Sequence, residues 1–430
     1  MNIREISKMI ARSELFKDSM WALGGSAIGK GFSLVAGIIV ARLLGKEVYG
    51  EYGIIRTTLT YLAIVSSFGL GYTATKYIAD YLKNQSEKIK SFISFAYKVT
   101  IIFSAFLTVL QTIFADQIAT FINAPHLALV LRYFSILIIV NALTSTQIGV
   151  LSGFKKFKEI AYINIIAGFV TFVFSATLPI FWGLSGAIMA LLIAYIVQLI
   201  ISSFVIGKCC QECKQEAVGK QERREIIKFS FPIALQDSLF SIVHWLTTYI
   251  LVLFANYGEV GLLSAAGMWQ SVVIFIPAML KNVMFSHLTS SDDHKTLVNR
   301  LLLVNLVSSA FPVIIVAILS KFISTFYGPS FSALPGVLSV SVCSAIFICL
   351  ADVYSYEFIS LGKTWFVFLS RLLRDSIYLC VSYLVISSVH SHYSFYMAAI
   401  GLLVYILFFL VMMVLYQTMI CKNNLSHASI

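Results

Sequence analysis

Acidic side chains are scarce in this chain: 20 Asp and Glu stand against 31 Lys and Arg among 430 residues, and only 12% of all positions are charged. Soluble domains carry about 25% charged residues, so a soluble globule is excluded. A nucleotide-binding loop is missing too. The segment GGSAIGKG, Gly24 to Gly31, comes near a phosphate-cradling loop, but Gly31 replaces the hydroxyl residue that would hold Mg²⁺ and no strand precedes it. Prolines number seven, and one polar stretch only, Gly207 to Ser230, is long enough to be a linker. What is abundant is apolar. Hydrophobic residues make up 59% of the chain, and mean hydropathy is +0.88.

The apolar residues fall into twelve runs of roughly 20 residues, about what a helix needs to cross ~30 Å of hydrocarbon. The expected spans are 19–42, 52–72, 92–114, 127–153, 160–180, 184–206, 231–254, 262–285, 300–319, 333–358, 365–386 and 394–417. Basic residues resist translocation and mark the cytoplasmic side. The connections on the side holding both termini carry twenty-one Lys and Arg, and those on the other side only Lys46 and Lys321. Both termini are therefore expected in the cytoplasm, and the net charge of +11 reads as topology rather than as nucleic-acid binding.

No cysteine falls in an outside connection, which removes any disulfide framework. Cys209, Cys210 and Cys213 form a single CCxxC cluster with no second pair or nearby His, and read as ordinary cytoplasmic thiols. Residues 1–18 read as an interfacial segment, with Ile3, Ile6, Ile10 and Phe16 on one face of a short helix, leading into an uncleaved first span.

The linker divides the chain into residues 1–206, a cytoplasmic segment 207–230, and residues 231–430. The two halves echo each other. IATFINAP from Ile118 to Pro125 returns as ISTFYGP from Ile323 to Pro329; LSGFK from Leu151 to Lys155 returns as SLGK from Ser360 to Lys363; LLGKEVYGEYG has a looser counterpart in ANYGEVGLLSAAG. An even number of spans per half makes this a parallel repeat. The expected fold is all-α: twelve transmembrane helices in two six-helix lobes around a central cavity.

Six basic residues lie within the apolar stretches: Lys30, Arg56, Lys98, Arg132, Arg371 and Arg374. An ionised side chain there costs at least ~2.5 kcal/mol, so such groups face water or a partner. Polar residues share helix faces with them: Ser26, Lys30, Ser33 and Gly37 in the first span, Arg371, Arg374, Asp375, Tyr378 and Ser382 in the eleventh. A cationic lumen selects anions. Arg56, Lys98 and Arg132 lie near span ends, from which their long side chains can also reach the membrane surface. Spans one to six hold no Asp or Glu, whereas the second half adds Asp237, Asp352, Glu357 and Asp375. Asp237, Asp352 and Asp375 are the ion-coupling candidates, with neutralisation of Arg371, Arg374 or Lys281 as the alternative role. Pro277 and Pro312 are expected to kink spans eight and nine.

Several of these segments, notably Lys30 through VARLLGKEVYGEYG to FGLGYTATKYIADY, LSGFKKFKEIA, and FSFPIA at the seventh span, resemble the polysaccharide-transport branch of the multidrug/oligosaccharidyl-lipid/polysaccharide exporter superfamily, to which Wzx-type O-antigen flippases belong. The resemblance implies a bacterial inner-membrane flippase. Its substrate would be an undecaprenyl-pyrophosphate-linked oligosaccharide, its neighbours membrane lipids and the polysaccharide polymerase and chain-length machinery. No cofactor is implied; energy would come from H⁺ or Na⁺ coupling, a substrate gradient or the membrane potential. Rival functions are a multidrug exporter and a membrane-embedded polymerase or ligase, the latter disfavoured by short outside loops without an acid/base cluster.

Overall fold

A computed structural model of the chain describes residues 14–211, 216–290 and 294–427. Cys213 and most of the interfacial segment, residues 1–13, lie outside the described residues. Every regular element among those described is helical: α1 Glu14–Ser66, α2 Leu70–Asn84, α3 Ile89–Ile113, α4 Ala115–Phe121, α5 Ala128–Tyr133, α6 Ile136–Gly153, α7 Phe157–Cys209, α8 Lys220–Phe254, α9 Tyr257–Ser290, α10 His294–Ile318, α11 Ser320–Tyr327, α12 Leu334–Ser360, α13 Thr364–Ser388 and α14 Tyr393–His427, with short 3-10 turns at Ser86–Lys88, Pro125–Leu127 and Pro329–Phe331.

Nine helical stretches among the described residues are long and apolar enough to span a bilayer. Two of them, Gly24–Leu82 and Phe157–Cys209, run to 59 and 53 residues, more than twice what one crossing needs. Each breaks at a glycine, Gly45 (φ 72°) and Gly183 (φ 51°). Without a Cβ, Gly45 enters this left-handed region at no steric cost.

The chain forms two compact units: Met1–Leu44 with Glu51–Tyr249, and Gly45–Gly50 with Ile250–Ile430. Each is built around one helix. In the first, α6 packs against α2, α3 and α7; in the second, α12 packs against α9, α10 and α14. Accordingly α6 and α12 are the most enclosed spans, 61% and 56% buried in their apolar windows. They are the fourth and tenth expected spans, equivalent in the repeat. The core of the first unit gathers Leu70, Ile78, Phe92, Val150 and Ile163, all at or below 1% exposure; that of the second gathers Val298, Val353, Phe358 and Met412.

The repeat extends to backbone detail. After α6, Lys155 takes φ 57° and the Lys156 N–H donates to Leu151 O at 2.9 Å; after α12, Gly362 takes φ 77° and the Lys363 N–H donates to Phe358 O at 2.9 Å. Both are Schellman endings, which satisfy carbonyls the helix leaves open. Ahead of each central helix comes a short helix, a positive-φ residue (Asn123 or Gly328) and a proline-led 3-10 turn.

The segment 45–50 lies in the second unit although its flanking helices belong to the first. Glu47 Oε2 accepts from the Gly258 N–H at 2.7 Å, at the first turn of α9, where an anion is favoured. Tyr49, 1% exposed, donates to Met268 Sδ at 3.0 Å. A Cβ on Gly50 would run into the Tyr257 backbone, and one on Gly261 into the Lys46 backbone. The two echoing turns thus pack on each other reciprocally.

One expected span is interrupted. Hydropathy reads 127–153 as continuous, yet the helix breaks between α5 and α6 at Phe134 and Ser135. Hydroxyls settle the freed polar groups: Ser135 Oγ donates to Arg132 O at 2.8 Å and lies 2.9 Å from Thr112 Oγ1. Helices α9 and α10 run on through Pro277 and Pro312.

Candidate functional site

The second unit brings four charged side chains together where α13 meets α12. An Arg371 terminal nitrogen donates to Asp352 Oδ1 at 2.9 Å, the side chains being 26% and 39% exposed. Arg374 turns to its neighbour Asp375, with a terminal nitrogen at 2.7 Å and Nε at 2.8 Å from Oδ1. Its guanidinium also lies 5.0 Å from the Tyr405 ring and 4.9 Å from that of Phe408, both on α14. Cation–π attraction in so desolvated a setting adds to the ion pair. Asp375 lies four residues on from Arg371, at the spacing of a helical ion pair, yet the carboxylate that Arg371 reaches at 2.9 Å is on α12.

Two arginines against two aspartates leave this cluster formally neutral. Among the described residues, however, the Arg371 Nε is buried with no hydrogen-bond partner, a group that costs free energy until an acceptor reaches it. An incoming anion competes with Asp352 for a guanidinium whose planar fork suits phosphate and carboxylate oxygens.

The first unit places its bases differently. Lys30 is exposed on α1, one residue from Gly29, whose backbone lies close to Asn164 on α7. Arg56, half-buried near the middle of the second half of α1, stands 5.7 Å from the Tyr52 ring centroid and within electrostatic reach of Tyr61 and Tyr195. Lys98 is exposed on α3, away from the stripe of Phe92, Ala96 and Thr100 that this helix buries. Arg132 on α5 forms a 2.7 Å ion pair with Asp116 on α4. Asp237 on α8 is half-buried, near enough to Tyr72 to act on it electrostatically. Thus Arg371, Arg374, Asp352 and Asp375 converge, while Arg132 joins a surface pair.

Sequence reasoning passed over one pair. Glu357, wholly buried at the end of α12, lies 3.0 Å from His294 Nδ1 at the start of α10. Ser360 Oγ donates to its second oxygen at 3.4 Å. The signal was a carboxylate in the last turn of an apolar span, but nothing in the sequence singled out a histidine 63 positions earlier.

An all-α architecture with nine helical stretches apolar enough to cross a bilayer among the described residues defines a polytopic membrane protein. Residues 15–285 match the family described as "Polysaccharide biosynthesis protein", and the chain belongs to that family. It is 25% identical over 369 residues to a "Putative O-antigen transporter" of Shigella flexneri, covering 81% of this chain and 86% of that one. Among solved structures it resembles an inward-facing multidrug resistance MATE family transporter of the MOP superfamily (TM-score 0.76, 12% identity, 93% and 98% of the two chains). It also resembles a MOP superfamily transporter from Pyrococcus furiosus, for which reverse polarity of the binding pocket suggests a different function (TM-score 0.62, 13% identity, 92% and 94%). At those identities the likeness is one of fold.

Proposed function

We propose that this protein is a flippase which carries an undecaprenyl-pyrophosphate-linked oligosaccharide across the bacterial inner membrane by alternating access, for O-antigen, capsule or exopolysaccharide assembly. In this reading the chain crosses twelve times: the two overlong helices each count twice, and α13, whose three charges set it apart from the other spans, supplies the last. Both termini are cytoplasmic and the two repeats, 1–206 and 231–430, flank the translocation path.

The observation that carries the reading is the retention of ionised groups in apolar helices of a chain that belongs to a polysaccharide-biosynthesis family. Lys30, Arg56, Arg371 and Arg374 attract the pyrophosphate, with Lys98 and Arg132 guiding it at the span ends; the polyprenyl tail stays in lipid. Asp352 and Asp375 hold the arginines between cycles, and Asp352 and Asp237 take up H⁺ or Na⁺ to drive release. The protein transports and does not catalyse; polymerase and chain-length proteins take over the flipped unit.

Deleting the gene should abolish surface polysaccharide and accumulate lipid-linked oligosaccharide on the cytoplasmic leaflet, and the wild-type gene should reverse both. Normal surface polysaccharide without accumulation in the deletion strain would overturn the assignment.

A further inference from the structure

Three aromatic rings in the first unit lie almost parallel. Phe121, the last residue of α4, stacks on Tyr249 of α8 with centroids 4.4 Å apart and an interplanar angle of 8°; Trp245, one turn earlier on α8, stacks on Tyr249 at 5.3 Å and 11°; Phe121 and Trp245 are 6.2 Å apart at 8°. Trp245 is fixed in orientation, because its indole N–H donates to Thr58 Oγ1 at 2.9 Å, a hydroxyl only 7% exposed. Phe121 remains 53% exposed.

The repeat supplies an internal control. Phe121 in IATF corresponds to Phe326 in ISTF, a residue exposed to a similar 45%. Among the described residues Phe326 meets no such stack; it packs edge-on against Phe322 of its own short helix, at 5.0 Å and 84°. A ring whose task was to anchor the loop in lipid would serve equally in both halves. The parallel arrangement is therefore particular to the first unit.

We propose that Phe121, Trp245 and Tyr249 form a platform for sugar rings of the transported glycan, an inference that rests on the flippase reading above. A pyranose presents one face of C–H bonds, weakly positive, and an aromatic ring presents a negative π-face, so the two stack flat. Stacked face to face within 11° of one another, the rings brace Phe121 in one orientation, and its exposed ring is the surface offered to a sugar. The surroundings supply partners for hydroxyls: α4 also carries Asp116, which pairs with Arg132, and the loop behind it carries His126, 61% exposed and 2.8 Å from Glu51. Arg56, on α1 with Thr58 and beside Tyr52, and within electrostatic reach of Tyr61 and of Tyr195 on α7, adds a cation for acidic sugars. A lipid tail has no use for a ring braced in one orientation.

The test uses full-length protein in nanodiscs and two probes. One is the lipid-free glycan released by mild acid from the host's lipid-linked oligosaccharides, the other farnesyl pyrophosphate, which has the anionic head and no sugar. Phe121→Leu and Tyr249→Leu should each weaken glycan binding at least tenfold and leave farnesyl pyrophosphate binding unchanged; Phe121→Tyr should bind like wild type, as should Phe326→Leu. If Phe121→Leu binds glycan like wild type, the position needs only apolar bulk, as a lipid contact would, and the platform is wrong. Equal loss of both probes would mark a structural role and also overturn it. Wild-type protein that binds neither probe would sink the flippase reading itself, a result separate from failure of the platform alone.

Discussion

In the second unit Arg371 and Arg374 each reach a carboxylate, at 2.9 and 2.7 Å, whereas the six apolar spans that begin the chain contain no Asp or Glu. The two units share a backbone plan down to the turns that end α6 and α12, so the plan did not dictate this difference. A neutralised cluster favours a well-fixed side-chain arrangement and makes each member costly to remove alone. Lys30 and Lys98 of the first unit are instead exposed on α1 and α3, where a side chain contributes little to the fold. In the proposed flippase the first unit would attract the substrate and the second would exchange a counter-ion for it.

Loss of a charged group should accordingly cost stability in the second unit and little in the first, while transport suffers in both. The largest loss of stability is expected at Glu357, which is fully buried against His294. His294→Leu strands that carboxylate and should lower unfolding free energy by about 3 kcal/mol. Adding Glu357→Leu should recover most of it, since replacing both members removes the stranded group. Thermal unfolding in detergent checks both; equal stability of the single and double variants would show that the pair is not what holds α10 to α12.

At Arg371 and Asp352 the expected effect is smaller because both side chains are partly exposed. Arg371→Gln should cost about 1 kcal/mol, and Asp352→Asn should restore part of that in the double variant. Transport should not return with stability, because the guanidinium is lost. In the first unit Lys30→Gln should change stability by no more than about 0.5 kcal/mol yet reduce delivery of surface polysaccharide. A Lys30→Gln strain with normal polysaccharide would erase the contrast between the units.

The ion gradient separates the carboxylates further. Asp237 lies in the first unit and Asp352 in the second, where Arg371 is bound to it. With lipid-linked donor on one leaflet of reconstituted vesicles and an imposed pH or Na⁺ difference, Asp352→Asn should weaken the response more than Asp237→Asn. If wild-type flipping ignores both gradients, the aspartates are counter-ions and transport is passive.

Much of this architecture was legible beforehand, and the limits have physical causes. Hydropathy over about 20 residues reports whether a helix can sit in lipid, so the spans and the repeated loops could be placed. It is blind to a local break such as Phe134–Ser135, where hydroxyls replace backbone partners while the residues stay apolar on average. Nor does linear order reveal membership. The segment 45–50 packs with α9 because its small residues let two backbones meet, and that fit exists only once both turns are folded. For the site, the charged residues announced themselves by their cost in hydrocarbon, but their pairing did not. Which carboxylate an arginine reaches depends on how α12 and α13 lie together, and that placed Arg371 on Asp352 rather than on Asp375.

The finest contrast between the units is a single backbone position. Lys155 and Gly362 occupy the same place in two equivalent helix endings, at φ 57° and 77°. A side chain at positive φ costs about 1 kcal/mol, which glycine avoids. Lys155→Gly should therefore raise the stability of the first unit by up to about 1 kcal/mol, reduced somewhat by the added freedom of the unfolded chain. Gly362→Ala should lower that of the second by about as much. A Cβ at Gly362 would meet nothing within 4 Å, so the cost there is that of the backbone alone. Because neither change touches a charged cluster, flipping rates per folded molecule should stay at the wild-type value. Opposite shifts in melting temperature with unchanged transport would show that the two endings are one motif carrying different residues; shifts of the same sign would mean that the turns are not equivalent despite their shared hydrogen bonds.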